Sequence, residues 1–92
     1  MSIKYNSQET AEKIVAILKK ELATEEVSIE DQSRFHVGHR AAGGGGHFAV
    51  TIRSARFNGL SPIARQRLVL EAVGIMMDNE VHALTMKCLP TN

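Results

Sequence analysis

Phe48, Val50 and Ile52 alternate with Ala49, Thr51 and Arg53, and this period of two is the strongest local constraint in the chain. Successive side chains of a strand point to opposite faces, so this strand has an apolar face to bury and a polar face that tolerates water. It needs neighbours along its edges and a second layer over its apolar side. Val27-Ser28-Ile29-Glu30 alternates in the same way and predicts a half-buried strand. The two are expected to pair antiparallel across a connection that is long for a hairpin, and long ordered connections are more often functional than short ones. Val81 to Leu89 reads as a third strand, ended by Pro90.

Helices supply the covering layer. From about Ser7 to Ala23, residues Ala11, Ile14, Ile17, Leu18 and Leu22 recur at three- and four-residue spacing, with Lys13, Lys19 and Lys20 off the apolar stripe. Ser7 reads as the N-cap, with Glu9 and Glu12 in the first turns. Ser61-Pro62 starts a second helix, a capping oxygen followed by proline at the first helical position. Leu68 to Met77 is nearly all apolar, which fits a buried helix or two short helices meeting near Arg65 to Arg67. Asp78-Asn79-Glu80 breaks the run. The expected fold is α/β of the α+β kind, one domain over residues 1–92 in the order α-β-β-α(α)-β. A small three-stranded mixed sheet is covered on one face by helices. Ile14, Leu18, Phe48, Val50, Ile52, Val69, Val73 and Leu84 are the expected core.

With 92 residues, 43% of them hydrophobic, the chain has enough material for one domain without a staple. No apolar run reaches the length of a membrane span, and the N-terminus lacks a signal peptide's apolar stretch, which points to a soluble, cytoplasmic protein. Cys88 is the single cysteine and has no internal disulfide partner, in keeping with a reducing compartment. The net charge of +1 means that polyanion binding would need local clustering of basic residues.

Chemistry concentrates in the histidines. His36, His39 and His47 surround the run Gly43 to Gly46, and His82 lies near the C-terminus. Imidazole is the commonest metal ligand and titrates near neutral pH, and a glycine run is conformationally permissive. A closed zinc site is a poor match, because structural zinc sites usually draw on several cysteines and Cys88 is remote from the loop. A split site fits better, with two histidines from this chain and the other ligands from a partner. Imidazole also ligates iron-sulfur clusters in place of some thiolates. His39 sits on the loop with no packing pattern to explain it. His47 shares the parity of Ala49, Thr51 and Arg53, and its bland reading is a strand-start histidine bonded to loop backbone. His82 shares the parity of Leu84 and Met86, which alone reads as a core-edge histidine.

Other chemistries find less support. No Gly-x-Ser-x-Gly elbow occurs, and Cys88 has no evident activating base. No Lys-Ser/Thr or helix start follows the glycines, so they are not a phosphate loop. The element order resembles an RNA-binding KH domain, but its Gly-x-x-Gly clamp belongs between two helices and here lies between two strands. At the helical junction there is only Gly59. Arg53, Arg56, Arg65, Arg67 and Lys87 offer a basic patch, yet aromatics for stacking are scarce and a solvated basic face is the simpler reading.

The stretch from Asp31 to Met86 resembles the BolA-like proteins. The resemblance is carried by the histidine-bearing loop, His47-Phe48-x-Val50-x-Ile52-x-Ser54, Phe57-Asn58-Gly59-Leu60-Ser61, Arg65-Gln66-Arg67-Leu68-Val69 and Val81-His82-Ala83-Leu84, in that order and spacing. The first helix matches only in type. The resemblance implies a fold of the second KH class and a non-enzymatic role beside a monothiol glutaredoxin with a Cys-Gly-Phe-Ser motif. The pair would share a [2Fe-2S] cluster, with two ligands from the glutaredoxin cysteine and a glutathione thiol. This chain would add His82 and a loop residue, His39 as the best match and His36 as runner-up, with His47 behind them. No cofactor is expected in the isolated chain. Gln66 stands where the family usually has histidine, so no role for that residue carries over. Some family members are described as transcriptional regulators of stress and morphology genes, and by analogy Arg65, Arg67 and Lys87 would contact DNA phosphates. A weak homodimer is the remaining expected association.

Overall fold

The computed structural model describes residues 7–32, 46–76 and 81–92. His36, His39 and Gly43 to Gly45 lie outside the described residues, and His82 is described by its backbone.

Helix α1 spans Ser7–Glu21 and turns the predicted stripe inward. Ile14, Leu18 and Leu22 are buried, and Ala11 and Ile17 pack beside them. The helix stops short of the expected Ala23 because Ala23 takes up a left-handed conformation, φ 49°. The Ala23 N–H donates to the Lys20 carbonyl at 3.4 Å and the Thr24 N–H to the Lys19 carbonyl at 3.1 Å. These two bonds are those of a Schellman cap, and alanine stands where glycine would sit with less strain, a cost of about 1 kcal/mol. The Thr24 hydroxyl then donates to the Arg53 carbonyl at 2.7 Å, so the turn out of α1 is tied to the sheet.

Strands β1 (Val27–Asp31), β2 (Gly46–Arg53) and β3 (Val81–Leu89) form one mixed sheet in the order β1-β2-β3. β1 pairs antiparallel to β2, as the alternation predicts, and β3 pairs parallel to it. The parallel pair requires a crossover, which helix α2 (Pro62–Ala72) provides. Its start is the predicted one: Pro62 is the first residue and the Ser61 hydroxyl accepts the Ala64 N–H at 3.2 Å. α2 runs unbroken through Arg65 to Arg67, so the two-helix alternative is replaced by one helix followed by a 3-10 turn at Gly74–Met76. Arg and Gln are good helix formers and nothing in that triplet breaks the backbone. Nor is the apolar run uniformly buried. Val69 and Val73 are buried, while Leu70 is 39% exposed; before the run, in the first turn of α2, Ile63 is 65% exposed.

Both helices cover the same face of the sheet, the one presented by Phe48, Val50 and Ile52, each at most 2% exposed. Burying a side chain of this size stabilises by about 1.5–3 kcal/mol. Of the expected core residues, Leu84 alone is only half-buried, because β3 is an edge strand. Phe57, Met76 and Val81 join the core as well. Ser54 is the buried polar link, 2% exposed. Its hydroxyl donates to the Leu22 carbonyl at 2.7 Å and accepts the Arg56 N–H at 3.0 Å, joining the end of α1 to the end of β2. Ser54→Ala leaves a buried carbonyl without its donor, so the expected loss is about 1–3 kcal/mol. It should appear as a lower urea midpoint with an unchanged slope.

Candidate functional site

β2 and β3 run parallel and begin side by side, Gly46 opposite Val81. β1 arrives at the same end with Asp31 opposite Phe48. His47 and His82 therefore sit at one end of the sheet. Gln32 and Gly46, the described residues that flank the segment carrying His36 and His39, are at that end too. The Gln32 N–H donates to the His47 carbonyl at 2.7 Å. His47 is half-buried, faces Ala83 in the register, and follows the parity of Ala49, Thr51 and Arg53, as expected.

The backbone ladder is irregular at His82. The register steps from Gly46 opposite Val81 to His47 opposite Ala83, so His82 is the one β3 residue that it skips. Beyond the bulge Leu84, Met86 and Cys88 lie beside Phe48, Val50 and Ile52, while Val81, before it, is fully buried. The alternation of Leu84 and Met86 thus cannot be carried back to His82. The sign of this was present in the sequence, since Val81 and Leu84 are both apolar and three apart, a spacing that breaks a period of two. Bulges are enriched beside functional sites, where they re-aim a side chain or end the pairing.

Among the described residues, no three His, Cys, Asp or Glu side chains converge to hold a metal ion. Cys88 lies on the same strand as His82, six positions further on, which is about 20 Å along a strand. The thiol and the histidine end of the sheet are separate places.

The far end is a packed junction. Phe57 is wholly buried, and Gly59 has φ +78°, a conformation that strains any residue with a Cβ. Asn58 and Thr91 exchange two hydrogen bonds, both 2.9 Å, between the Asn58 amide and the Thr91 hydroxyl and N–H. Arg65 donates from Nε to the Leu60 carbonyl at 3.0 Å and from Nη1 to the Cys88 carbonyl at 3.3 Å. Arg53 donates to the Pro90 carbonyl at 2.9 Å. Of the cations singled out for phosphate contact, Arg65 is thus half-buried and engaged with carbonyls of the fold. Arg67 is exposed on α2 and Lys87 is exposed on the uncovered face of the sheet. The helical layer and the uncovered face are opposite sides of the molecule, so the three do not gather into one surface. Asn58, Thr91 and Ser54 were not marked as structural by any periodicity.

The family model described as BolA-like protein matches residues 18–92. BolA-like protein 1 of Mus musculus is 38% identical over 74 residues, covering 80% of this chain and 53% of the relative. The chain thus spans about half the length of that relative. A protein of Vibrio cholerae named DNA-binding transcriptional regulator BolA is 36% identical over 74 residues, covering 80% of this chain and 68% of its own. Among solved structures, the BolA domain of SufE1 from Arabidopsis thaliana superposes with a TM-score of 0.77 at 30% identity. It covers 89% of this chain and 92% of that one.

Cys88 lies on β3, away from the histidine end. Burial pushes its thiol above the ordinary 9.0, and the Arg65 guanidinium offsets this only in part. The folded protein therefore holds this proton to higher pH than the unfolded chain does. Any linked stability is complete below about pH 9 and is lost as pH rises through the folded value. Iodoacetamide should alkylate the folded protein more slowly than the urea-unfolded chain at pH 8–9. Equal rates would show a thiol that is neither shielded nor shifted.

Proposed function

The chain belongs to the BolA-like protein family, and on that premise we propose that it is a non-enzymatic partner of a monothiol glutaredoxin of the Cys-Gly-Phe-Ser type. A [2Fe-2S] cluster is the shared cargo, in iron-sulfur assembly, trafficking or iron sensing. The observation that supports this most is the place of His82, at a bulge on the sheet end where β2 begins and where both flanks of the loop histidines meet. His82 would supply one imidazole from a strand and His39 the other from the loop, with His36 as the alternative and His47 behind both. The glutaredoxin cysteine and glutathione would supply two thiolates. Among the described residues, no helix is long and apolar enough to cross a membrane.

Imidazole coordinates when neutral, so the heterodimer should lose its cluster as pH falls through about 6–7. A neutral imidazole in place of an anionic thiolate also raises the reduction potential. The test mixes His82→Ala, His39→Ala and the double variant with cluster-loaded glutaredoxin and records the visible spectrum. His82→Ala should abolish the heterodimer's own spectrum and His39→Ala should weaken or alter it. An unchanged spectrum with His82→Ala overturns the assignment, and an effect of His36→Ala alone on the loop moves the second ligand.

One observation favours a second reading, the regulator name borne by the Vibrio cholerae relative. On that reading Arg67 or Lys87, which lie on opposite sides of the molecule, contacts phosphates, while Arg65 is occupied within the fold. Binding through so few charges should be weak and fall steeply with salt. Arg67→Glu with Lys87→Glu should remove it while leaving glutaredoxin binding intact. Sequence-selective binding by the free protein that resists salt would instead make the regulator reading primary.

A further inference from the structure

β1 is an edge strand: among the described residues its sheet neighbour is β2 alone. Two hydrogen bonds fix which of its backbone groups turn inward. The Arg53 N–H donates to the Glu26 carbonyl at 3.0 Å and the Gln32 N–H to the His47 carbonyl at 2.7 Å. In an antiparallel ladder this makes positions 26, 28, 30 and 32 face β2, and turns positions 27, 29 and 31 outward. The backbone N–H and carbonyl of Ile29 thus lie along the outer edge. An open apolar groove runs beside that edge, floored by Ala11, Val15, Ala16 and Ile29 and rimmed by Glu12 and Lys19.

An outward edge with an apolar helix flank beside it fits one more strand carrying a helix above it, and this chain has that combination itself. Independently of the cluster reading, we infer that β1 and α1 form a two-fold interface with a second copy of the chain. An axis through Ile29 satisfies the register. It sets Ile29 against its own copy and Val27 against Asp31. The Val27 N–H already donates to the Glu25 carbonyl at 3.1 Å, so the new ladder is carried by the two bonds that the Ile29 residues exchange. On the other face Ser28 meets Glu30. No like charges stand directly opposite, an arrangement that would destabilise the pair. The same axis lays α1 antiparallel to its copy, with Ala11, Val15 and Ala16 in the contact and Glu12 brought toward the second copy's Lys19. Lys19 otherwise pairs with the exposed Glu25 at 3.7 Å, and an exposed pair of that kind is easily exchanged. The product is a continuous six-stranded sheet with β3 and His82 at both outer edges, open to a different partner.

One short strand and part of a helix make a small interface, so association is expected between roughly 10 µM and 1 mM. Sedimentation velocity over that range should show the mass approach twice the monomer's. The concentration-dependent amide shifts should centre on Val27 to Asp31 and on the 11–19 stretch of α1. Lys19→Glu sets a second carboxylate against the other copy's Glu12 at both ends of the contact and should weaken association about tenfold. Glu12→Lys combined with Lys19→Glu should restore it. Both residues are on the helix surface, and unchanged thermal melts of the monomers exclude a folding effect. Ala16→Arg, a change to another good helix former beside the axis, should abolish the dimer outright. A protein that stays monomeric to millimolar concentration, shifts centred on β3, or a Lys19→Glu variant that associates like the natural chain would each overturn the proposal.

Discussion

Phe48, Val50 and Ile52 put three buried side chains on one face of the strand that both neighbours hydrogen-bond to. This one-sided burial sets the pleat of β2, and the pleat sets nearly everything else. Both helices must lie on the same face, β1 must present Val27 and Ile29 inward, and β3 must bring Leu84, Met86 and Cys88 into line. A slip of one residue would move the whole apolar set to solvent. The position of His47 and the return of the chain at Gly46 are consequences of that register.

The residues that carry the family resemblance divide between two jobs, and the sheet separates them by its length. Phe57-Asn58-Gly59-Leu60-Ser61 and Arg65 build the junction where β2 ends, α2 starts and the C-terminal residues are clasped. Phe57 fills the core, Gly59 makes the left-handed step, Ser61 caps α2, and Arg65 spans from Leu60 to Cys88. His47 and the backbone of His82 lie at the other end. The more recognisable motif thus serves folding, at the end of the sheet away from His47 and His82.

What could be read in the sequence follows the same physics. Strand alternation, the helix stripe and the Ser61-Pro62 start each reflect a local rule, and each yields its element. The left-handed Ala23 escapes such reading because alanine is a good helix former and only the Schellman geometry stops the helix there. The Ser54 link escapes it because its partner, Leu22, is remote along the chain. α2 misleads because its apolar run exceeds what one side of a helix can bury, leaving Leu70 outside. For the candidate site, the residue types were legible in the sequence, whereas the common end of the sheet needed the strand topology, and the irregularity at His82, hinted at by the spacing of Val81 and Leu84, needed the register of two strands brought together.

The bulge also says something about economy of length. If His82 were deleted, Val81 would occupy its place, opposite Gly46 and one step before Ala83, and it would still point to the core. The ladder would close without a flaw and every downstream pair would keep its partner. The parallel pairing would be more regular without the residue. The extra residue sets the start of β3 one step out of phase with the rest of its pairing, so the two halves of one strand obey different alternations.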